Sequence, residues 1–225
     1  MAFSIVFVLF PDVTQLDMTG PAQILCRLPE SEVHFAASTM EAVPTDCGFS
    51  INPTTTFDAI ARADLLCVPG GMGVVGAMAD SRLLSAIQRL AKTARYTTSV
   101  CTGALILGVA GLLHGKRATT HWAYHHLLSL VGATPVEDRV VRDGNTFTGG
   151  GVTAGIDFGL TVLAELAGET FARTIAAAVE YDPAPPFGRG VLTDQPSAVS
   201  DTLSVVYQER AALVRAAMMK VGVAP

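Results

Sequence analysis

Cys101 lies within Thr97-Thr98-Ser99-Val100-Cys101-Thr102-Gly103-Ala104, where a β-branched run gives way at the cysteine to a helix-like stretch. That boundary suits a nucleophile. A sharp strand-to-helix turn lifts the side chain clear at the carboxyl end of a sheet, and the first amides of the helix favour thiolate over thiol. Gly103, two residues on, allows the close strand-helix approach that such an elbow requires. The competing reading is a buried structural cysteine, the common state of a free thiol in a core.

Two further segments could meet such a thiol. Leu65-Leu66-Cys67-Val68 runs into Pro69-Gly70-Gly71-Met72-Gly73, a glycine-rich turn that falls on the same sheet edge if the strands are parallel. In an oxyanion-hole reading the Gly71 and Thr102 amides converge on developing negative charge; the alternative is a tight turn with no ligand. Gly71-x-Gly73-x-x-Gly76 matches a dinucleotide fingerprint literally. The ribose-binding acid expected about 20 residues later is missing from Ala91–Tyr96, so NAD is rejected. Asp17, past the first strand-like run, would stand at the same edge and could exchange protons with a substrate, or it could simply cap a helix. His121 and His125 are four apart, but Trp122 occupies the place of a zinc protease's Glu, which leaves them structural and no metal expected.

Those residues need a scaffold. Strand-like runs at Ser4–Phe10, Glu32–Ala37, Ala63–Val68, Tyr96–Val100 and Asn145–Thr148 alternate with helical periodicity at Ser81–Ala94, Trp122–Leu130, Ala154–Ala167 and Ala198–Met219. The alternation predicts a single α/β domain over 1–225, a mostly parallel sheet with helices on both faces. Asp143-Gly144 between Arg139–Arg142 and Asn145–Thr148 predicts a hairpin. Prolines 183, 185 and 186 with Gly188 and Gly190 predict an irregular connection over Glu180–Pro196.

Half of the 225 residues are apolar and 16% are charged, which predicts a deeply buried sheet and a subunit interface, hence a homodimer. The net charge of −5 is carried without any dense Lys or Arg run, against a nucleic-acid partner. Met1–Phe10 is apolar but too short to span a membrane and lacks a signal peptide's flanks. Cysteines 26, 47, 67 and 101 form no C-x-x-C pair, which fits a reducing cytoplasm.

Taken together, Phe10-Pro11 then Asp17, Pro69-Gly70-Gly71, Ser99-Val100-Cys101-Thr102-Gly103 and Thr119-Thr120-His121-Trp122 resemble the ThiJ/PfpI superfamily, and within it the isocyanide hydratase branch. The likeness extends through Gly149–Asp157 and Glu180–Phe187, over nearly the whole chain. Peptidase-like and chaperone-like members commonly place His after the cysteine, where this chain has Thr102; many relatives carry Glu where it has Asp17, as isocyanide hydratases do. A glutamine amidotransferase would need a later His-x-Glu, which is absent.

The resemblance implies a flavodoxin-like three-layer sandwich and hydration of a small-molecule isocyanide to an N-substituted formamide. Cys101 would be the nucleophile, Asp17 the proton donor, and the Thr102, Gly71 and Gly70 turns the oxyanion and substrate-binding elements, with no cofactor. Gly149-Gly150-Gly151 would give the following helix room to shift during catalysis, and Tyr181 with the Pro-rich segment would shape a pocket or wrap a partner subunit. Rival readings are glyoxalase-type hydration of methylglyoxal and the sensory half of an AraC-like regulator. The latter would require roughly a hundred further residues for its DNA-binding helices.

Overall fold

The computed structural model describes residues 2–223. In chain order the principal elements are β1 (Phe3–Val8), α1 (Gln15–Leu25), β2 (Ser31–Ala37), β3 (Thr55–Thr56), β4 (Leu65–Val68), α2 (Val74–Ala79) and α3 (Ser81–Ala91). Then come β5 (Tyr96–Val100), α4 (Gly103–Val109), a 3₁₀ segment Trp122–Val131, β6 (Val140–Asp143), β7 (Thr146–Gly149), α5 (Ala154–Ala167), α6 (Glu169–Ala178) and α7 (Ser197–Lys220). The sheet order is β6-β7-β5-β4-β1-β2-β3, and every pair is parallel except the β6–β7 hairpin. The parallel core β2-β1-β4-β5-β7 has the flavodoxin-like order, whose ligand crevice opens at the carboxyl ends beside the β1/β4 reversal.

Strand periodicity accounts for the two cores. Val6, Val8, Leu66 and Val68 point into the layer made by α2, α3, α4, the 3₁₀ segment and α7, while Ile5, Phe7, Leu65, Cys67 and Val100 point at α1, α5 and α6. Both faces are therefore dry, as a parallel sheet requires. In the second core Phe158 of α5 is fully buried; truncating it to Ala would cost about 3–5 kcal/mol.

Element boundaries differ from expectation for local reasons. β1 stops at Val8 rather than Phe10, because Pro11 offers no donor and Asp12 turns the chain at φ 58°. α3 ends at Ala91, not Ala94: the Thr93 hydroxyl accepts from the Ala63 amide and donates to the Leu90 carbonyl, pulling the chain off the helix axis. Trp122–Leu130, expected as α-helix, winds as 3₁₀ instead, tied back at its start by His125 Nε2 to Thr119 Oγ1 and the Thr120 carbonyl and halted at Gly132, φ 73°. The hairpin forms with Asp143 pairing Thr146, so the loop proper is Gly144-Asn145, with Gly144 at φ 61° in the first central position. Glu180–Pro196 is irregular apart from one 3₁₀ turn at Leu192–Asp194, and Tyr181 donates its hydroxyl to Asp157 of α5 at 2.8 Å.

Candidate active site

Three carboxyl-edge turns meet at one point: those following β1, β4 and β5. Cys101 forms the last. Its φ of 57° lies in the left-handed region, a conformation that costs a non-glycine residue about 1–3 kcal/mol and persists only where its surroundings enforce it. The enforcement is visible. The Cys101 amide donates to the carbonyls of Gly149 and Gly150 at 3.0 and 2.9 Å, and the buried Thr120 hydroxyl donates to the Cys101 carbonyl at 2.7 Å. Gly103 meets the need anticipated for it: a Cβ there would stand 2.0 Å from the Val68 carbonyl oxygen.

Asp17 lies in the first turn of α1 and is wholly buried. It does not cap its own helix. Its Oδ2 accepts the Gly70 amide at 2.9 Å, joining the turn after β1 to the turn after β4. Thr14 strengthens that junction by donating its amide to the Gly70 carbonyl at 3.0 Å. Asp17 Oδ1 and Ser99 Oγ are, among the described residues, the buried side-chain oxygens with no hydrogen-bond partner. The Cys101 thiol is electrostatically coupled to the carboxyl, though no hydrogen bond of ordinary geometry joins them.

Burial dominates the electrostatics. It raises the Asp17 pKa to about 7, against the stabilising Gly70 amide and the Cys101 thiol, with a smaller upward push from the nearby Asp46 charge. Burial likewise pushes the Cys101 thiol well above its ordinary value. The Asp17 charge adds to that, while the amides of Val152 and Thr102 pull the other way. The expectation that a helix N-terminus would favour thiolate is thus corrected. α4 has only seven residues, and its first amides are outweighed by loss of water and a neighbouring carboxylate. The net direction is toward the protonated thiol.

The Gly71 and Thr102 amides, expected to converge on one anionic centre, have different partners in this structure. The Gly71 amide donates to the Thr102 hydroxyl at 3.1 Å, where Gly70 presses against the Thr102 turn and Gly71 against the turn after β1, whereas the Thr102 amide faces the Cys101 sulfur. Val152 supplies the second amide at the sulfur, a role not anticipated from the sequence. The signal was the glycine run 149–151 after β7: β7 pairs with β5, so its turn had to emerge beside Cys101. His121 lies against Gly151 and is held neutral by burial and by His125, its pKa lowered to about 4. Tyr181 is bound to Asp157 and is not among the groups that meet Cys101. Among the described residues no three His, Cys, Asp or Glu side chains converge as a metal site would require.

Fold and site together define a flavodoxin-like α/β protein with a cysteine on a strained strand-to-helix elbow, facing a buried carboxyl. Comparison with known proteins gives this class a family. The family model described as DJ-1/PfpI matches residues 3–165. An isonitrile hydratase from Pseudomonas putida is 55% identical over 201 residues, 89% of this chain and 88% of that protein. The crystal structure of a ThiJ/PfpI family protein from Pseudomonas syringae superposes with a TM-score of 0.94 at 38% identity, covering 97% of this chain and 91% of that one. Drosophila melanogaster DJ-1beta superposes with a TM-score of 0.71 at 26% identity, over 80% of this chain and 98% of that one. The chain belongs to the DJ-1/PfpI family.

Proposed function

We propose that the protein is a hydro-lyase that hydrates isocyanides to N-substituted formamides through a covalent thioimidate on Cys101. One arrangement carries the reading: a buried carboxyl with an unpartnered oxygen, its pKa pushed up to about 7 by burial, stands beside a buried thiol on a strained elbow. The similarity to an isonitrile hydratase over most of both chains supports it.

The chemistry balances with these two groups. The thiol gives its proton to Asp17 as the sulfur bonds to the terminal isocyanide carbon, and Asp17 delivers the proton to that carbon. The product is R–N=CH–S–Cys101, with Asp17 again ionised. Water then adds to the imidate carbon, Asp17 taking its proton and passing it to nitrogen. The tetrahedral R–NH–CH(OH)–S–Cys101 collapses by breaking the C–S bond, the hydroxyl proton returns to sulfur, and the formamide leaves. A carboxyl poised near neutral pH suits both halves. The Thr102 and Val152 amides stabilise negative charge on and beside the sulfur, while Gly70 and Gly71 hold Asp17 and Thr102 in register.

The reading includes a cytoplasmic homodimer that needs no cofactor. Free Cys26 and Cys47 at the surface support a reducing compartment, and Phe187, 95% exposed in the Pro-rich segment, supports a subunit interface. Among the described residues no helix is long and apolar enough to cross a membrane. Incubation with an aliphatic and an aromatic isocyanide should yield the matching formamides; the absence of formamide from both would defeat the assignment. Light scattering should give about twice 23.5 kDa, and a mass near 23.5 kDa would remove the dimer.

A further inference from the structure

α7 lies beyond the residues matched by the family model, yet it reaches both sides of the elbow. On one side, Tyr207 stacks on His121 with ring centroids 5.0 Å apart and planes at 29°. His121 in turn lies against Gly151, the residue before Val152, whose amide faces the Cys101 sulfur. On the other side, Arg210, one helical turn along, donates to the Met72 sulfur at 3.3 Å, and Met72 directly follows the Gly70-Gly71 turn. Arg210 also lies over the Tyr207 ring at 5.6 Å, and Trp122 meets Tyr207 edge-on at 5.0 Å. Tyr124, within the electrostatic reach of Cys101, closes the cluster at 6.1 Å from Tyr207. Trp122 and Met72 are exposed, at 38% and 51%, so this strap carries apolar surface facing outward.

We propose that Tyr207, held by His121 and Arg210, forms with Trp122 and Met72 an aromatic wall that selects the N-substituent of the isocyanide. The inference rests on the hydration reading. In R–N≡C the reacting carbon, nitrogen and first R atom are collinear. With the carbon between Cys101 and the buried Asp17, the substituent is driven outward, away from the carboxyl. The groups bridging the two sides of the elbow are those of this strap, and aromatic edges and faces recognise planar apolar substituents. A small substituent such as methyl does not reach them.

The test compares kcat/KM for phenyl and methyl isocyanide in wild type, Tyr207→Ala, Tyr207→Leu and Tyr207→Phe. Tyr207→Ala and Tyr207→Leu should lower the phenyl-to-methyl ratio roughly three- to tenfold through KM, while Tyr207→Phe stays within about twofold. A second probe needs no turnover: alkylation of Cys101 by N-phenylmaleimide against N-methylmaleimide, read on the Cys101 peptide so that surface Cys26 and Cys47 do not contribute. The same ratio should fall in the same variants. If wild type hydrates neither isocyanide, the hydration reading fails and the maleimide ratio alone decides on the wall. Ratios unchanged in both Tyr207→Ala and Tyr207→Leu, or shifted as much by Tyr207→Phe, overturn the proposal, because a purely structural Tyr207 alters stability without altering the ratio.

Discussion

Cys67 sits on one strand of the sheet and Cys101 just past the end of the neighbouring strand, both buried and both with thiols pushed upward by loss of water, Cys67 to about 12. Cys67 lies mid-strand, in register with Phe7 and Thr98, in regular backbone among apolar neighbours. Cys101 lies one residue past its strand, at positive φ, facing two amides and a carboxyl. At Cys67 burial is the main cause, with the Asp17 charge adding to it and Thr98 opposing it, and no strained turn presents the thiol to a partner. In the proposed mechanism, reactivity at Cys101 comes from what the strained turn exposes it to: Asp17 to receive its proton, and the Val152 and Thr102 amides to hold its charge.

The sharpest way to break this contrast is to delete each sulfur in turn. Cys101→Ala should reduce formamide formation by at least about a thousandfold, the scale of losing a covalent nucleophile. Retention of more than a tenth of wild-type turnover would mean that Cys101 does no covalent work.

Asp17→Asn comes next, with a loss of about a hundredfold or more in kcat, as for removal of a general acid–base. Its effect on stability should run the other way. The folded-state pKa of about 7 lies above the ordinary 3.8, so the native state binds the proton more tightly. Stability is then unpenalised below pH 4 and falls as pH rises from about 4 through 7, by about 4 kcal/mol at most. Asn keeps an oxygen for the Gly70 amide and removes the charge. Denaturant titrations at pH 5 and pH 8 should therefore show wild type losing stability across that interval and Asp17→Asn losing little. Removing the carboxylate should also lower the Cys101 pKa and speed its alkylation at pH 8.

Thr120→Val removes the hydroxyl that donates to the Cys101 carbonyl. It should cost about 1–3 kcal/mol of stability. Turnover should fall about tenfold as the elbow relaxes, a loss of roughly 1.4 kcal/mol in activation free energy. Smallest of all, Cys67→Ala should leave turnover within about twofold and lower stability by about 1 kcal/mol, the cost of a small cavity in the α1/α5 core. A large loss of activity there would erase the distinction between the two thiols.

Much of this was legible in the residues. Tyr96–Val100 and Ala154–Ala167 match their expected spans, because β-branched and apolar periodicity set them without help from neighbours. Cys101, Asp17 and Gly70 come together because all three follow strands that end on one edge. α1 is hidden from sequence periodicity: it is largely buried against α5, so it lacks a polar face, and it carries Pro21, a helix-disfavouring residue, in its interior. Val152 is not legible in the sequence because it meets Cys101 through its backbone amide, on which side-chain type gives no information. The upward direction of the Cys101 pKa is hidden from sequence for a related reason. A short helix can be read from sequence, but the desolvation that outweighs it exists only once the chain has packed.

The central claim is that Cys101 bonds to the isocyanide carbon, and acid-quenched intact-mass spectrometry of protein mixed with excess isocyanide reads that bond directly. The expected result is a mass increase of one isocyanide per chain, located on the Cys101 peptide and absent from Cys101→Ala. Formamide accumulating while the chain mass stays unchanged at every quench time, with Cys101→Ala turning over at the wild-type rate, would contradict it.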